Sequence, residues 1–178
     1  MGLRKALAYS KKRARPYTRK SKDKSKAYIK VVPANKIVKY NIGNQRAFEE
    51  GKFKFILKFV SEEKIQIRDH ALESGRLVLT KILDRKAPNQ YYFAVKVYPH
   101  HILRNNKTSG VAGSDRLSSG MSHSFGAIEG RAAIVNPGKE IFFVACETEQ
   151  GVKSAREALR IIKSKIPCKS RIIFEKVD

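Results

Sequence analysis

Half of the excess positive charge of this chain lies in its first 30 residues, and that fact limits what the beginning of the chain can become. Residues 1–30 hold twelve Lys or Arg against a single acid, Asp23, while residues 31–178 hold 26 against 15. Each part therefore carries +11 of the net +22. The first stretch has few apolar residues, so it cannot bury a core of its own and is expected to order only against a partner. Arg13, Arg15 and Arg19 surround Pro16 and Tyr17, Arg4 and Lys20 add to the cations of the arm, and a lysine-rich run follows from Ser21 to Lys26. Guanidinium groups beside an aromatic ring suit phosphate contact combined with stacking on bases. We read residues 1–35 as a basic RNA-binding arm and 36–178 as one globular domain.

Across the chain, 38 Lys and Arg face 16 Asp and Glu, yet 42% of residues are hydrophobic, enough for a sizeable core. A domain so charged repels itself, and a polyanion is the natural partner to neutralise it. Nucleic acid and an anionic membrane both qualify. No apolar run approaches the roughly 20 residues of a spanning helix, and no apolar stretch follows the basic start as a secretory signal requires. No membrane partner is expected, and the expected address is cytoplasmic. Cys146 and Cys168 form no CxxC pair and read as buried small hydrophobes.

Short strand-like runs begin at about Lys36. Ile37, Val38, Tyr40 and Ile42 form one, closed by the turn residues Gly43 and Asn44. In Lys52 to Val60, alternation predicts Phe53, Phe55, Leu57 and Phe59 on one face, with Lys54, Ile56 and Lys58 on the other. Further runs are Tyr91 to Tyr98, Ala132 to Val135, Ile141 to Cys146 and Arg171 to Val177. Two segments follow helical spacing instead. From Asp69 to Leu83 the apolar residues fall on one face, where Gly75 predicts close packing on the sheet. From Gly151 to Ile166 the same pattern recurs, Pro167 stops it, and Lys153, Arg156, Arg160 and Lys163 form a basic outer face.

Between strands, Arg104 to Gly126 has four glycines and six serines among 23 residues. A loop this long within a domain is either functional or disordered in isolation. Adjacent His100 and His101 have no carboxylate or cysteine cluster at ligand spacing, so no metal is expected. Ser and His residues crowd around Ser118 to Ser124, but no GxSxG, HExxH or phosphate-loop motif is present. No catalytic residue and no cofactor is assigned. An RNA-modifying or processing enzyme using His123 is the alternative of another class, and a free-standing nucleic-acid-binding or chromatin-type protein is a second.

Several ordered blocks carry a resemblance: Arg15-Pro16-Tyr17-Thr18-Arg19; Lys36-Ile37-Val38 leading to Ile42-Gly43-Asn44; and Gln66-Ile67-Arg68 followed by Ala71-Leu72-Glu73. More specific are Val97-Tyr98-Pro99-His100, Leu103-Arg104 with Asn106-Lys107, and Gly113-Ser114-Asp115-Arg116-Leu117-Ser118-Ser119-Gly120-Met121, then Phe125-Gly126. From about Arg15 to Lys176 the chain resembles the universal large-subunit ribosomal protein family called L-sixteen in bacteria and L-ten-e in its archaeal and eukaryotic form, the archaeal form most closely. The resemblance implies an α+β domain with two helices packed on a mainly antiparallel sheet, in agreement with the runs above.

It further implies a place in large-subunit ribosomal RNA near the aminoacyl-tRNA site, among neighbouring ribosomal proteins, in one copy and without a homo-oligomer. The 104–117 segment would be the family's long loop toward the peptidyl transferase region and the tRNA acceptor arm. Carried over by position, Arg104, Asn106, Lys107 and Arg116 would face RNA there, Arg15 and Arg19 would hold the arm on ribosomal RNA, and Arg68 joins the RNA-binding set. Two departures stand out. The chain inserts the lysine-rich Ser21 to Lys26 and has Val31-Val32 before Pro33 where the family passes almost directly to a short glycine-containing turn, and Ser122-His123 follows Met121 where the family commonly has arginine.

Overall fold

The computed structural model describes residues 5–11, 29, 31–105 and 126–177. Along the described chain run β1 (Asn41–Gly43), α1 (Gln45–Glu49), β2 (Phe55–Ser61), β3 (Ile65–Arg68), α2 (Asp69–Lys86), β4 (Tyr91–Val95), β5 (His101–Asn105), β6 (Ala127–Val135), β7 (Glu140–Cys146), α3 (Glu149–Lys163) and β8 (Ser170–Lys176). The described strands pair antiparallel in two sheets, a larger one ordered β1-β4-β7-β2-β8 and a smaller one ordered β3-β6-β5. The fold is α+β, and the long helices α2 and α3 lie against each other over the larger sheet.

The central strand β7 shows why its sequence is almost continuously apolar. Ile141, Val144 and Cys146 enter the main core with α2 and α3, while Phe143 and Ala145 enter a second cluster on the other face. A strand covered on both sides has no position for a polar residue. The approach of α2 is close: a Cβ added at Gly75 would lie 2.9 Å from Phe142 Cζ and 3.5 Å from Ile162 Cγ2. The packing role expected for Gly75 therefore holds. On the other face, Asn44 Oδ1 accepts from Ala47 N at 3.1 Å to cap α1, and Phe48 stacks on Tyr92 with ring centroids 4.5 Å apart. Gly43 makes the turn into that cap at φ +93°, where a Cβ would collide with the Tyr91 carbonyl oxygen.

Four expectations need correction. Of the 37–42 run only Asn41 and Ile42 are strand, in Asn41–Gly43, because Lys36 N and Val38 N donate to Asp69 and Glu73 of α2, at 3.3 and 3.4 Å, instead of to a neighbouring strand. Phe53 does not share the face of Leu57 and Phe59. It precedes β2, in a turn where Gly51 has φ +73° and Lys52 N donates to Ala47 O, and it packs in the second cluster. Strands β3 and β5 and the short α1 add to the elements foreseen, and the strand from Tyr91 ends at Val95. Arg104 and Asn105 belong to β5 and residues 127–131 to β6, so the loop is shorter than the 104–126 stretch and the strand at Ala132 starts earlier.

Both long helices fall close to their expected spans. Thr148 caps α3, its side chain accepting from Gly151 N at 3.2 Å, and so starts the helix before Gly151. The helix closes at Lys163, and a final tight turn in which Lys165 N donates to Ile162 O at 2.8 Å carries the chain toward Pro167.

Candidate nucleic-acid interface

The smaller sheet builds the base from which the 106–125 segment leaves and to which it returns. Asn105 pairs with Ala127, and the register slips between Leu103 and Arg104, a bulge that re-aims the end of β5. Ile102 and Leu103 are buried, so the ribbon is fixed to the body just before it emerges. His101 is buried as well, its Nδ1 2.9 Å from Gln66 Oε1 of β3. Arg104 is half-buried at the end of this ribbon, at the root of the segment.

Next to it, Arg131 of β6 donates from Nε to the Pro33 carbonyl at 2.6 Å and from Nη1 to the Tyr98 hydroxyl at 3.2 Å. Tyr98 stacks on Tyr40 at 5.6 Å and lies 4.4 Å from the His100 ring. Burial pushes the Tyr40 phenol up from its ordinary value, against a hydrogen bond from Asn35 that favours ionisation. These contacts gather residues 33–40 and 98–100 around β6 on the same ribbon.

Residues 5–11 dock on the same sheet, so this part of the first stretch is ordered against the chain's own body and not, as expected, only against a partner. Gln66 N donates to Ser10 O at 3.2 Å, Gln66 Nε2 donates to Tyr9 O, and the Tyr9 hydroxyl donates to Glu129. Arg68, only 5% exposed, sets its guanidinium 5.9 Å from the Tyr9 ring centroid. Of the residues assigned to RNA from sequence, the structure brings Arg68 and Arg104 to this sheet. Arg4, Arg13, Arg15, Tyr17, Arg19, Lys20, Asn106, Lys107 and Arg116 lie outside the described residues.

A second basic surface sits on the larger sheet. Lys153, Arg156, Arg160 and Lys163 are exposed on the outer side of α3. Arg171 of β8 shares a groove with three of them. Sequence reading finds the helical cations by their spacing but not Arg171, which becomes their neighbour only through the pairing of β8 with β2.

Residues 12–173 match the family model described as Ribosomal protein L16p/L10e. The chain belongs to that family. It is similar to proteins named large ribosomal subunit protein uL16: that of Pyrobaculum calidifontis at 39% identity, covering 98% of this chain and 95% of the relative; that of Staphylothermus marinus at 41%, with the same coverage; and that of Methanococcus maripaludis at 40%, covering 99% and 96%.

In this L16p/L10e chain, the two thiols are held by the fold. Burial pushes the Cys146 thiol up to about 12 and raises that of Cys168, which keeps both protonated at neutral pH. Among the described residues no group of three His, Cys, Asp or Glu is placed to hold a metal ion. His123 lies outside the described residues.

Proposed function

We propose that this chain grips folded ribosomal RNA through its cationic arm and surfaces and uses the 104–117 segment to help position the acceptor arm of tRNA at the aminoacyl site. Membership of the L16p/L10e family makes it a structural constituent of the large ribosomal subunit and not an enzyme. Its partners are ribosomal RNA and neighbouring ribosomal proteins, and its place is the ribosome in the cytoplasm.

In this proposal residues 1–35 act as an arm and residues 36–178 as the body. Arg4, Arg13, Arg15, Tyr17, Arg19 and Lys20 would bind phosphates and bases from the arm, and Arg104, Asn106, Lys107 and Arg116 from the loop. Arg68, buried beneath Tyr9, would contribute by holding residues 5–11 in place. Lysines and arginines gain affinity by displacing counterions from the RNA, and the rigid sheets set the geometry.

The observation that carries the tRNA role is the β5–β6 ribbon, which launches the segment from a buried base with Arg104 at its root. Placement of this kind contributes geometry and charge, with no nucleophile or general base required of the protein. Replacing Arg104 and Lys107 together by Ala should slow tRNA accommodation or subunit maturation while the isolated fold keeps its thermal stability. Unchanged translation by ribosomes carrying that double variant would remove the loop role. Sedimentation tests the broader reading: the protein should travel with large subunits after a moderate salt wash.

A further inference from the structure

α3 and β8 enclose a groove of about 540 Å³ lined by Arg156, Arg160 and Lys163 from the helix, Ser170 and Arg171 from the strand, and one carboxylate, Glu62. The helical cations recur at steps of four and three residues, which puts them on one face along about 10 Å of axis. Across the groove Arg171 supplies a fourth. None of the four has a carboxylate within ion-pair distance among the described residues.

The pairing of other charges makes this arrangement informative. Glu157 of α3 binds Lys86 of α2 at 2.5 Å, and Glu175 of β8 binds Lys58 of β2 at 2.6 Å, so both acids are engaged away from the groove. Four cations converge on a groove with a single carboxylate, Glu62, in its lining, and an anion from outside would offset the remaining repulsion.

Two further observations point to an oxyanion ligand. The Arg156 guanidinium lies 5.0 Å from the centroid of the Phe174 ring, and Phe174, though 40% exposed, is itself stacked on Phe55. An arginine held this way has given up part of its freedom before any ligand arrives, and its planar fork matches phosphate oxygens. Within the groove lining, the Ser170 hydroxyl oxygen is buried with no hydrogen-bond partner among the described residues. A buried hydroxyl without a partner is costly, and a phosphate oxygen would accept from it.

We infer that this groove is a separate RNA-backbone site, occupied by a sugar-phosphate strand of the large-subunit RNA and distinct from the arm and the loop. The inference rests on the ribosomal reading above and adds a location to it. Arg156, Arg160 and Arg171 grip the phosphates from two sides, Lys163 extends the grip along the helix, and Ser170 donates to a phosphate oxygen. The site fastens the larger sheet to RNA while the smaller sheet carries the loop.

The test uses the full chain in assembled large subunits. A triple variant, Arg156→Gln with Arg160→Gln and Arg171→Gln, should wash off at lower salt than wild type. Its log–log dependence of binding on salt should be shallower by about 0.7 to 0.9 for each phosphate that is no longer neutralised, and its binding at near-physiological salt weaker by about tenfold or more. The matching triple Lys variant should keep the wild-type salt dependence, since its charges remain, while binding less tightly than wild type, since the forked guanidinium groups are lost. Wild-type protein that failed to travel with large subunits would sink the ribosomal reading itself. A wild type that does so while the Gln variant keeps its salt dependence overturns only the groove. Ultraviolet cross-linking of wild-type particles gives a readout independent of any variant's folding: peptides from α3 and β8 should carry nucleotides. Peptides from this groove joined only to an acidic neighbouring protein would reject RNA as the occupant.

Discussion

The two long helices lie side by side on the same sheet, yet they use their charged residues in opposite ways. In its first half α2 turns its charges inward, although Lys81, Asp84, Arg85 and Lys86 are exposed. Glu73 and Arg76 form a two-bond pair, Nε to Oε2 at 2.7 Å and Nη2 to Oε1 at 2.5 Å, with side chains only 15% and 9% exposed. Glu73 and Asp69 also accept backbone N–H groups from residues 36–38, and Asp84 accepts the Tyr91 hydroxyl. On α3 the corresponding outer positions are cations left facing solvent or the groove. Charges of the first kind hold the fold, and charges of the second kind are available to a partner. Net charge alone does not separate the two.

This contrast is challenged most directly at Arg76. Arg76→Ala leaves Glu73 as a half-enclosed carboxylate without its cation, and losing one member of a buried pair should cost about 3 kcal/mol of stability, read by denaturant unfolding. A loss below about 0.5 kcal/mol would mean that α2 is no more dependent on its charges than an ordinary surface helix.

A smaller effect comes through pH. Hydrogen bonds from Arg76, and then its charge, hold the Glu73 carboxyl below its ordinary value of 4.5, against the opposing effect of burial. A carboxyl held low in the folded state stabilises at neutral pH, and that contribution disappears as pH falls below about 4.5 and through the folded value. Glu73→Gln should therefore flatten the acid limb of a stability–pH curve below the ordinary carboxyl value of 4.5. An acid limb of unchanged steepness would assign it to other carboxylates.

The smallest stability effect is expected on α3. Arg160→Gln with Lys163→Gln should alter unfolding free energy by less than about 0.5 kcal/mol, since neither cation pairs with a described acid. A large loss in this variant would show that the α3 cations belong to the fold after all.

How far these features are legible from sequence follows from the range of the interactions behind them. Both long helices are readable because their apolar residues repeat locally, and the strand at Ile141–Cys146 because burial on both faces removes polar residues. Strand β5 is less so. His101, Arg104 and Asn105 look like loop residues, and the partner that His101 meets in the interior, Gln66, is 35 residues away. The side of the sheet taken by Phe53 depends on the turn at Gly51, which interrupts the alternation. The α3 cations stand out by spacing, whereas the groove needs Arg171 and Phe174 to be brought beside them by pairing of β8 with β2. For the candidate RNA residues, family blocks carry more than periodicity does, because a basic segment with few apolar residues leaves no repeating pattern to read.

Gln66 ties three stretches of chain together: its backbone N–H reaches Ser10 O, its side-chain amide reaches Tyr9 O, and its amide oxygen meets His101. Strand β3 is an outermost strand of its sheet, and bare strand margins invite unwanted annealing with other chains. By laying residues 9 and 10 along that margin, the protein shields it with its own backbone. A newly made copy waiting to be incorporated thereby has a built-in guard against sticking to its siblings.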